Sequence, residues 1–534
     1  MLRSTLLAAV GLSAVLATSA LADPAFSPAQ IAAFKAEAVK GVESRTKLAQ
    51  VMNDQIFSFG ELGYQEIETS KYITGVLEKN GFKVVRGVAG LPTGWTATWS
   101  NGTGGPVIAL GSDIDCIPKA SQKPGVAAHD PIVPGAPGHG EGHNSGQALN
   151  VVAALALKDV MIRDHINGTL VLWPGVAEEL LGGKAYMVRD GVFNGIDATI
   201  FTHVGDNLKT TWGFDWGTGL VSVKYRFHGE AAHAAGAPWR GRSALDAVEL
   251  MDIGWSFHRE HVKPEQRSHR VIFDGGDQPN VVPSEAGVWY YFRQQSFADI
   301  KALYDAGNRM ADGAALMTET TVDHQVVGAA APTHFNKPIA EAAQANIDAV
   351  GLPVWTPEEH AFAKSVQKLV GAKEEGLATK LTGLKAPPED PKSGGSDDIG
   401  DISWIMPTIT LNYPSNIPGL QGHHWSNAIS MATPIAHKGV VAGSKVMAMT
   451  VLDLLTKPEL LAQAKAYFKD VQNKDQHYIS FLSPTDKPQI QQNAAIMAQF
   501  RPAMAKFYYD PSKYPTYLDQ LGIKWPAAPT ASGK

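Results

Sequence analysis

Three stretches constrain the fold of this chain more than any other feature. "PVIALGSDIDCIP" (106–118), "GTLVLWPGVAEE" (168–179) and "DATIFTHVGD" (197–206) are apolar runs that each end in acids or a histidine. Runs of this kind read as strands buried on both faces, the habit of parallel strands covered by helices. A helix-like segment, "ALNVVAALALKDVMIRDH", separates the first two. Strands alternating with helices, with polar groups at the strand ends, predict an α/β sheet whose functional groups gather beside the strand C-termini.

Near residue 214 the pattern changes. "LVSVKYRFHGE" alternates like a half-exposed strand. An amphipathic helix follows, with Ser243 as its N-cap, then two strands, a helix and a strand. That βαββαβ order fits a ferredoxin-like sandwich. From about 331 the chain returns to helices and a Pro/Gly-rich loop, then to strand-like "TITLNY", "GHHW" and a long helix. The expected fold class is therefore an α/β/α domain (23–213 and 331–470) interrupted by a ferredoxin-like α+β domain (214–330). A C-terminal extension (471–534) carries no functional reading. Residues 26–52 read as one helical stretch.

The 534 residues are 44% apolar and 18% charged, with a net charge of −6. This gives no reason to expect nucleic acid as a partner. Residues 1–22 have one Arg, an apolar run and Ala-Leu-Ala, the pattern of a cleaved signal peptide, with a retained anchor as the alternative. The mature protein is expected to be periplasmic or secreted. No other run reaches the length of an integral membrane span. A single cysteine, Cys116, excludes an internal disulfide.

The chemistry lies in the strand-end loops. His139, Glu141, His143, Glu178, Glu179, His203, His423 and His424 are the N and O donors available to a divalent metal. A lone loop histidine is more often surface or hydrogen-bonded than ligating. Adjacent carboxylates straight after a buried strand, however, are costly unless something positive pairs with them. Four such loops together point to a metal centre. Asp113 and Asp115 suit an outer role, accepting the second N–H of a ligand histidine, or else a simple loop cap.

The ordered motifs "GSDIDCIP", "GHGEGHN", "GVAEE", "THVGD", "HGEAAHAAGAPWRGRSALDAVELM", "QPNVVPSEA" and "GSDDIGDISW" resemble the zinc metallopeptidase and aminoacylase superfamily (carboxypeptidase G-like). Within it they are most similar to amidohydrolases related to one of the subunits of aminobenzoyl-glutamate hydrolase. The resemblance covers roughly residues 28–460. It implies a metal-bearing catalytic domain and an inserted lid that dimerises, giving a homodimer or higher homo-oligomer. It also implies hydrolysis of the amide bond of an N-acyl amino acid or small peptide, with one or two Zn2+ or Mn2+ ions. Carried over residue by residue, it makes His143, Glu179, His203 and His423 metal ligands and Glu178 the general base. It does not separate His423 from His424 by more than one position; the first is taken. His233 and Asn280 correspond to lid residues that meet substrate, His233 often in the partner's site.

One position departs from the pattern. The loop of close relatives reads His-Gly-Cys-Gly-His, with the cysteine as ligand, whereas Glu141 stands there in this chain. A carboxylate suits harder cations and resists oxidation. Glu141 is therefore expected to ligate, bridging if two ions are present. Arg240, Arg242 and Arg293 are candidates to pair a substrate carboxylate. The glycines of "SGGSDD" either let backbone N–H groups approach substrate or form a linker. Two other readings stay open: a non-catalytic metal-containing receptor for acylated amino acids, and a same-fold hydrolase acting on another C–N bond, as in an aromatic amine deaminase. The acyl group and amino acid are not legible.

Overall fold

The three apolar runs form the middle of one seven-stranded mixed sheet. In a computed structural model that describes residues 26–214, 217–388 and 394–526, the chain lays down β1 (Lys83–Arg86), β2 (Trp95–Asn101), β3 (Val107–Asp113), β4 (Gly168–Gly175), β5 (Ala198–Gly205) and β6 (Lys209–Thr210). It leaves through β7 (Gly213–Phe214), builds β8 (Gly219–His228), β9 (Arg267–Asp274), β10 (Glu285–Gln294) and β11 (Thr321–Ala330), and returns through β12 (His334–Phe335) to β13 (Thr408–Pro414). The large sheet has the order β1-β2-β4-β3-β5-β13-β6. Strands β4, β3, β5 and β13 run parallel, with Asp113 opposite Gly175 and His203 opposite Asn412. Their C-terminal ends therefore share one edge, and the loops that follow them converge there.

Burial explains why these strands show no alternation: Leu110, Leu172, Phe201 and Leu411 are all inside. Helices Pro28–Glu43, Gly146–Arg163 and Pro434–Thr456 pack together and against the sheet. Pro434–Thr456 is long and apolar enough to cross a membrane, but 89% of its apolar window is buried in this core. The stretch 26–52 does not make one helix. It breaks at Ser44–Arg45, and the second helix, Thr46–Phe59, buries Met52 through Phe59.

The inserted domain has the expected βαββαβ order, as an antiparallel sheet β11-β8-β10-β9 covered by helices Ala244–His258 and Phe297–Thr318. Ser243 caps the first of these helices, its Oγ accepting from the Asp246 amide at 3.2 Å. The two crossings between the domains, β7 and β12, pair with each other antiparallel. The fold is thus an α/β domain interrupted by a ferredoxin-like one. Past residue 470 the chain runs back across both domains. Tyr478 donates to Asp401 at 2.6 Å, Leu482 enters the core of the inserted domain, Asn493 donates to the Gly63 carbonyl at 3.1 Å, and Arg501 pairs with buried Glu61. The proposed signal peptide lies outside the described residues.

Candidate metal centre

The loop after β3 returns to the strand ends at His143, three residues before helix Gly146–Arg163 begins. The loop after β4 makes a tight turn at Glu178–Leu180, flanked by Ala177 (φ 52°) and Leu181 (φ 51°). Left-handed backbone at two non-glycine residues is strained and persists only where the surroundings over-determine it. Here Asp115 Oδ2 accepts the Glu179 amide at 3.2 Å, and Glu66 accepts the Ala177 amide at 2.9 Å. β5 contributes His203, and the loop after β13 contributes His423 at φ 53°.

These loops bring all five predicted ligands into one cluster. His143 Nε2 and His203 Nε2 stand 3.3 Å apart. His203 Nδ1 meets the Val204 carbonyl at 2.9 Å, so that nitrogen carries the proton and Nε2 presents a lone pair. His143 Nδ1 lies 3.5 Å from Asp115 Oδ1; with the proton on that nitrogen, its Nε2 also faces inward with a lone pair. Burial, reinforced by His203, pushes the His143 pKa down to about 3. Two lone pairs facing at this distance repel unless a cation lies between them. Donors about 2.0–2.2 Å from a tetrahedral ion sit about 3.3–3.6 Å apart, which matches the observed pair. Glu141 reaches both histidines of the outer loops, with Oε1 4.0 Å from His203 Nε2 and Oε2 3.7 Å from His423 Nε2. Glu179 Oε1 is 4.0 Å from His143 Nδ1, and its Oε2 is 3.3 Å from His423 Nε2. Glu179 Oε1, Asp113 Oδ2 and Asp115 Oδ1 are buried with no hydrogen-bond partner. This donor set fits a divalent cation. Gly142, at φ 114°, gives the loop the backbone that a side chain there would resist, and so allows Glu141 to turn inward.

Glu178 lies beside the cluster. Burial, then Asp113, Asp397 and Glu179, pushes its carboxyl well above the usual range. His423 rather than His424 joins the centre; the His424 ring caps the next turn through Ser426 at 2.8 Å. His139 also turns away, its Nε2 meeting the Ile56 carbonyl at 3.2 Å.

The two outer aspartates divide their work differently from the expectation. Asp115 alone faces a histidine Nδ1. Asp113 instead pairs through Oδ1 with Lys184 at 2.6 Å. Lys184 is fully buried and also bonds Asp398. Burial opposes its charge, but Asp113 and Asp398 outweigh it and keep the ammonium protonated. Sequence reasoning missed Lys184 and Asp398. The signal available was the "GGK" directly after the acidic loop and the doubled Asp of "GSDD".

Residues 218–315 match the model of the M20 peptidase dimerisation domain. Over 449 residues the chain is 33% identical to one of the subunits of the p-aminobenzoyl-glutamate hydrolase of Escherichia coli (strain K12), covering 78% of this chain and 91% of that protein. The chain belongs to the M20 family of peptidases and amidohydrolases. It is a hydrolase of that family. The Xaa-Arg dipeptidase of Mus musculus is 27% identical over 452 residues, 83% of this chain and 94% of that one. Among solved structures, the aminobenzoyl-glutamate utilization protein of Klebsiella pneumoniae shares the fold, with a TM-score of 0.54 at 18% identity over 78% of this chain and 97% of that one.

In this M20 chain the inserted-domain candidates are bonded within their own domain. His233 and Asn280 are exposed on neighbouring loops, joined by the Ala234 amide donating to the Asn280 carbonyl at 3.0 Å. Among the described residues, no hydrogen bond or ion pair joins either to the five clustered side chains. His233 Nδ1 accepts from the Ala235 and Gly236 amides at 3.2 and 3.0 Å. Its proton therefore sits on Nε2, which is left to donate outward. Of the three arginines, Arg242 pairs with Glu319 on the inserted domain and Arg240 is exposed. Arg293 turns toward the catalytic domain and donates to Ser396 at 2.8 Å. The described part of "SGGSDD" is tied to the base of β8, the Thr218 amide donating to the Gly395 carbonyl at 2.9 Å, so it is not a free linker.

Proposed function

We propose that this M20 hydrolase is an exported, metal-dependent enzyme that cleaves the amide bond of an N-acyl amino acid or small peptide. The observation that carries this reading is the placement of Glu178, a buried carboxylate, within 4.8 Å of ligand atoms of His143 and Glu179 in the cluster of facing histidines and acids. A non-catalytic receptor has no use for such a base. Glu141, His143, Glu179, His203 and His423 would hold one or two divalent ions, Zn2+ or Mn2+. Such an ion supplies Lewis acidity, polarising a carbonyl and acidifying water. Glu178 removes the proton from the attacking water and delivers it to the leaving nitrogen. His233, through Nε2–H, or Asn280 donates to the developing oxyanion. Arg293 receives a substrate carboxylate. The names of the relatives support the substrate class, since aminobenzoyl-glutamate and Xaa-Arg dipeptides are both amides of an amino acid.

His233 and Asn280 are exposed and, among the described residues, bond to none of the clustered side chains of their own chain, which favours a homodimer in which each inserted domain serves the partner's site. The exposed side chains Ile253, Phe257, Val271 and Ile272 on that domain supply apolar surface for such contact. Export rests on residues 1–22. The test is metal analysis of the purified protein alongside amino-acid release from a panel of N-acyl amino acids and dipeptides. Bound Zn2+ or Mn2+ and chelator-sensitive release are expected. Full activity in metal-free protein overturns the proposal.

A further inference from the structure

Asp113 closes β3, and its two oxygens have different surroundings. Oδ1 accepts from the Lys184 ammonium at 2.6 Å. Oδ2 is buried and has no hydrogen-bond partner. An unpaired buried carboxylate oxygen is costly and calls for a cationic neighbour. Among the described residues, Lys184 is the only cation that the structure pairs with Asp113, and it is committed to Oδ1. A carboxylate oxygen of Asp113 also lies within 4.8 Å of a ring nitrogen of both His143 and His203, the two histidines whose Nε2 atoms face each other.

Asp115 shows what an orienting carboxylate looks like here. It is two residues further on, one oxygen stands beside His143 Nδ1, and the other accepts the Glu179 amide. Asp113 makes no such contact with an Nδ1. Instead its rotation is set from behind. Lys184, itself held by Asp398 and lying 4.9 Å from the Phe201 ring centre, grips Oδ1. The facing strand leaves room for this arrangement, because a Cβ at Gly175 would lie 1.8 Å from Asp113 Oδ1.

We infer that Asp113 is a further metal ligand, binding through Oδ2 the ion shared by His143 and His203, with Lys184 as the positioning residue that holds the carboxylate in place. This rests on the reading of the cluster as a metal centre. It makes the inner site a two-histidine, one-carboxylate set, to which Glu141 and Glu179 add on the outer side.

The probe is Co2+ alone, titrated into the full metal-stripped chain and read by visible absorption and by ion equivalents per chain. Asp113→Asn is expected to weaken Co2+ binding about tenfold or more and to shift the absorption band. Lys184→Met keeps the ligand and is expected to weaken binding with the band retained. Should Asp113→Asn fail to fold by circular dichroism, Asp113→Glu replaces it, with a shifted band expected. Wild-type affinity and an unchanged band in the folded Asp113 variant overturn the inference while leaving the metal centre intact. A wild-type chain that binds no Co2+ overturns the centre and the inference together.

Discussion

The catalytic sheet and the inserted domain hold their candidate residues in opposite ways. At the sheet edge, His143 is 3% exposed and Glu178 9%, and their charged neighbours come from several distant segments of the chain. On the inserted domain, His233 and Asn280 are exposed and bonded only to each other's loops and their own. His423 lies between these extremes, with its side chain 66% exposed at the mouth of the cluster. The difference teaches that the clustered candidates are preorganised by burial within one chain, whereas the inserted domain's candidates are left open to solvent on their loops. Preorganisation of this kind needs burial, and recruitment needs exposure.

The strongest test of the buried half is Glu178→Gln. We expect kcat to fall roughly 10²–10⁴-fold with ion content unchanged, measured by steady-state kinetics and metal analysis on the same sample. Glu179→Gln should instead lose metal. The reverse pattern would show that base and ligand are exchanged.

Glu141→Ala probes the outer rim. It is expected to lose one ion equivalent or most of the affinity, because Glu141 turns one oxygen toward His203 and the other toward His423. Unchanged stoichiometry and affinity would remove Glu141 from the ligand set.

On the exposed half, His233→Ala is expected to cost about 10²–10³-fold in kcat with full metal content, the loss typical of one oxyanion donor. Mixing and re-associating this variant with Glu178→Gln should restore activity, since a mixed dimer carries one site with both groups intact. No recovery on mixing would place His233 in its own chain's site.

The smallest effect expected is at the crossing between the halves. His334 on β12 is buried between Phe214, Trp404 and Tyr467. That burial pushes its pKa down to about 4. The unfolded chain takes up this proton near pH 6.5 while the folded chain does not, so stability is present above 6.5 and falls as pH drops toward 4. The loss is about 1 kcal/mol by pH 5.5 and at most about 3 at pH 4. Urea midpoints across that range, compared with His334→Gln, should show a flatter profile in the variant. Parallel profiles would assign the acid sensitivity elsewhere.

Much of this was legible in the residues themselves. Strands covered on both faces announce themselves as unbroken apolar runs, and an acid or histidine at the end of such a run has one place to go in a parallel sheet. The half-exposed strands of the inserted domain alternate, and Ser243 stands where a helix needs a cap. Glu179 and His203 drew notice because each lies at or within a few residues of a strand end, whereas Glu141, His143 and His423 stand in the glycine- and histidine-rich loops "GHGEGHN" and "GHHW", and the family resemblance singles them out. The 26–52 helix was misjudged because nothing local marks Ser44–Arg45 as a break.

What the sequence determined, then, is the order of elements and the set of donor groups, since both follow from local periodicity and from chemistry at strand ends. What only the tertiary structure decided is how those groups share charge. "SDID" offers two equivalent aspartates, and "GGKAYM" offers a lysine that reads as an ordinary helix cation. Asp113 faces Lys184 and Asp115 faces His143 because β3, β4 and the 394–398 loop meet at one buried point. Asp398 is 214 positions from Lys184 in the chain. A buried charge is governed by its nearest opposite charge and by how little water reaches it. Both depend on which distant segments pack together, so neither is written in the residues next to it.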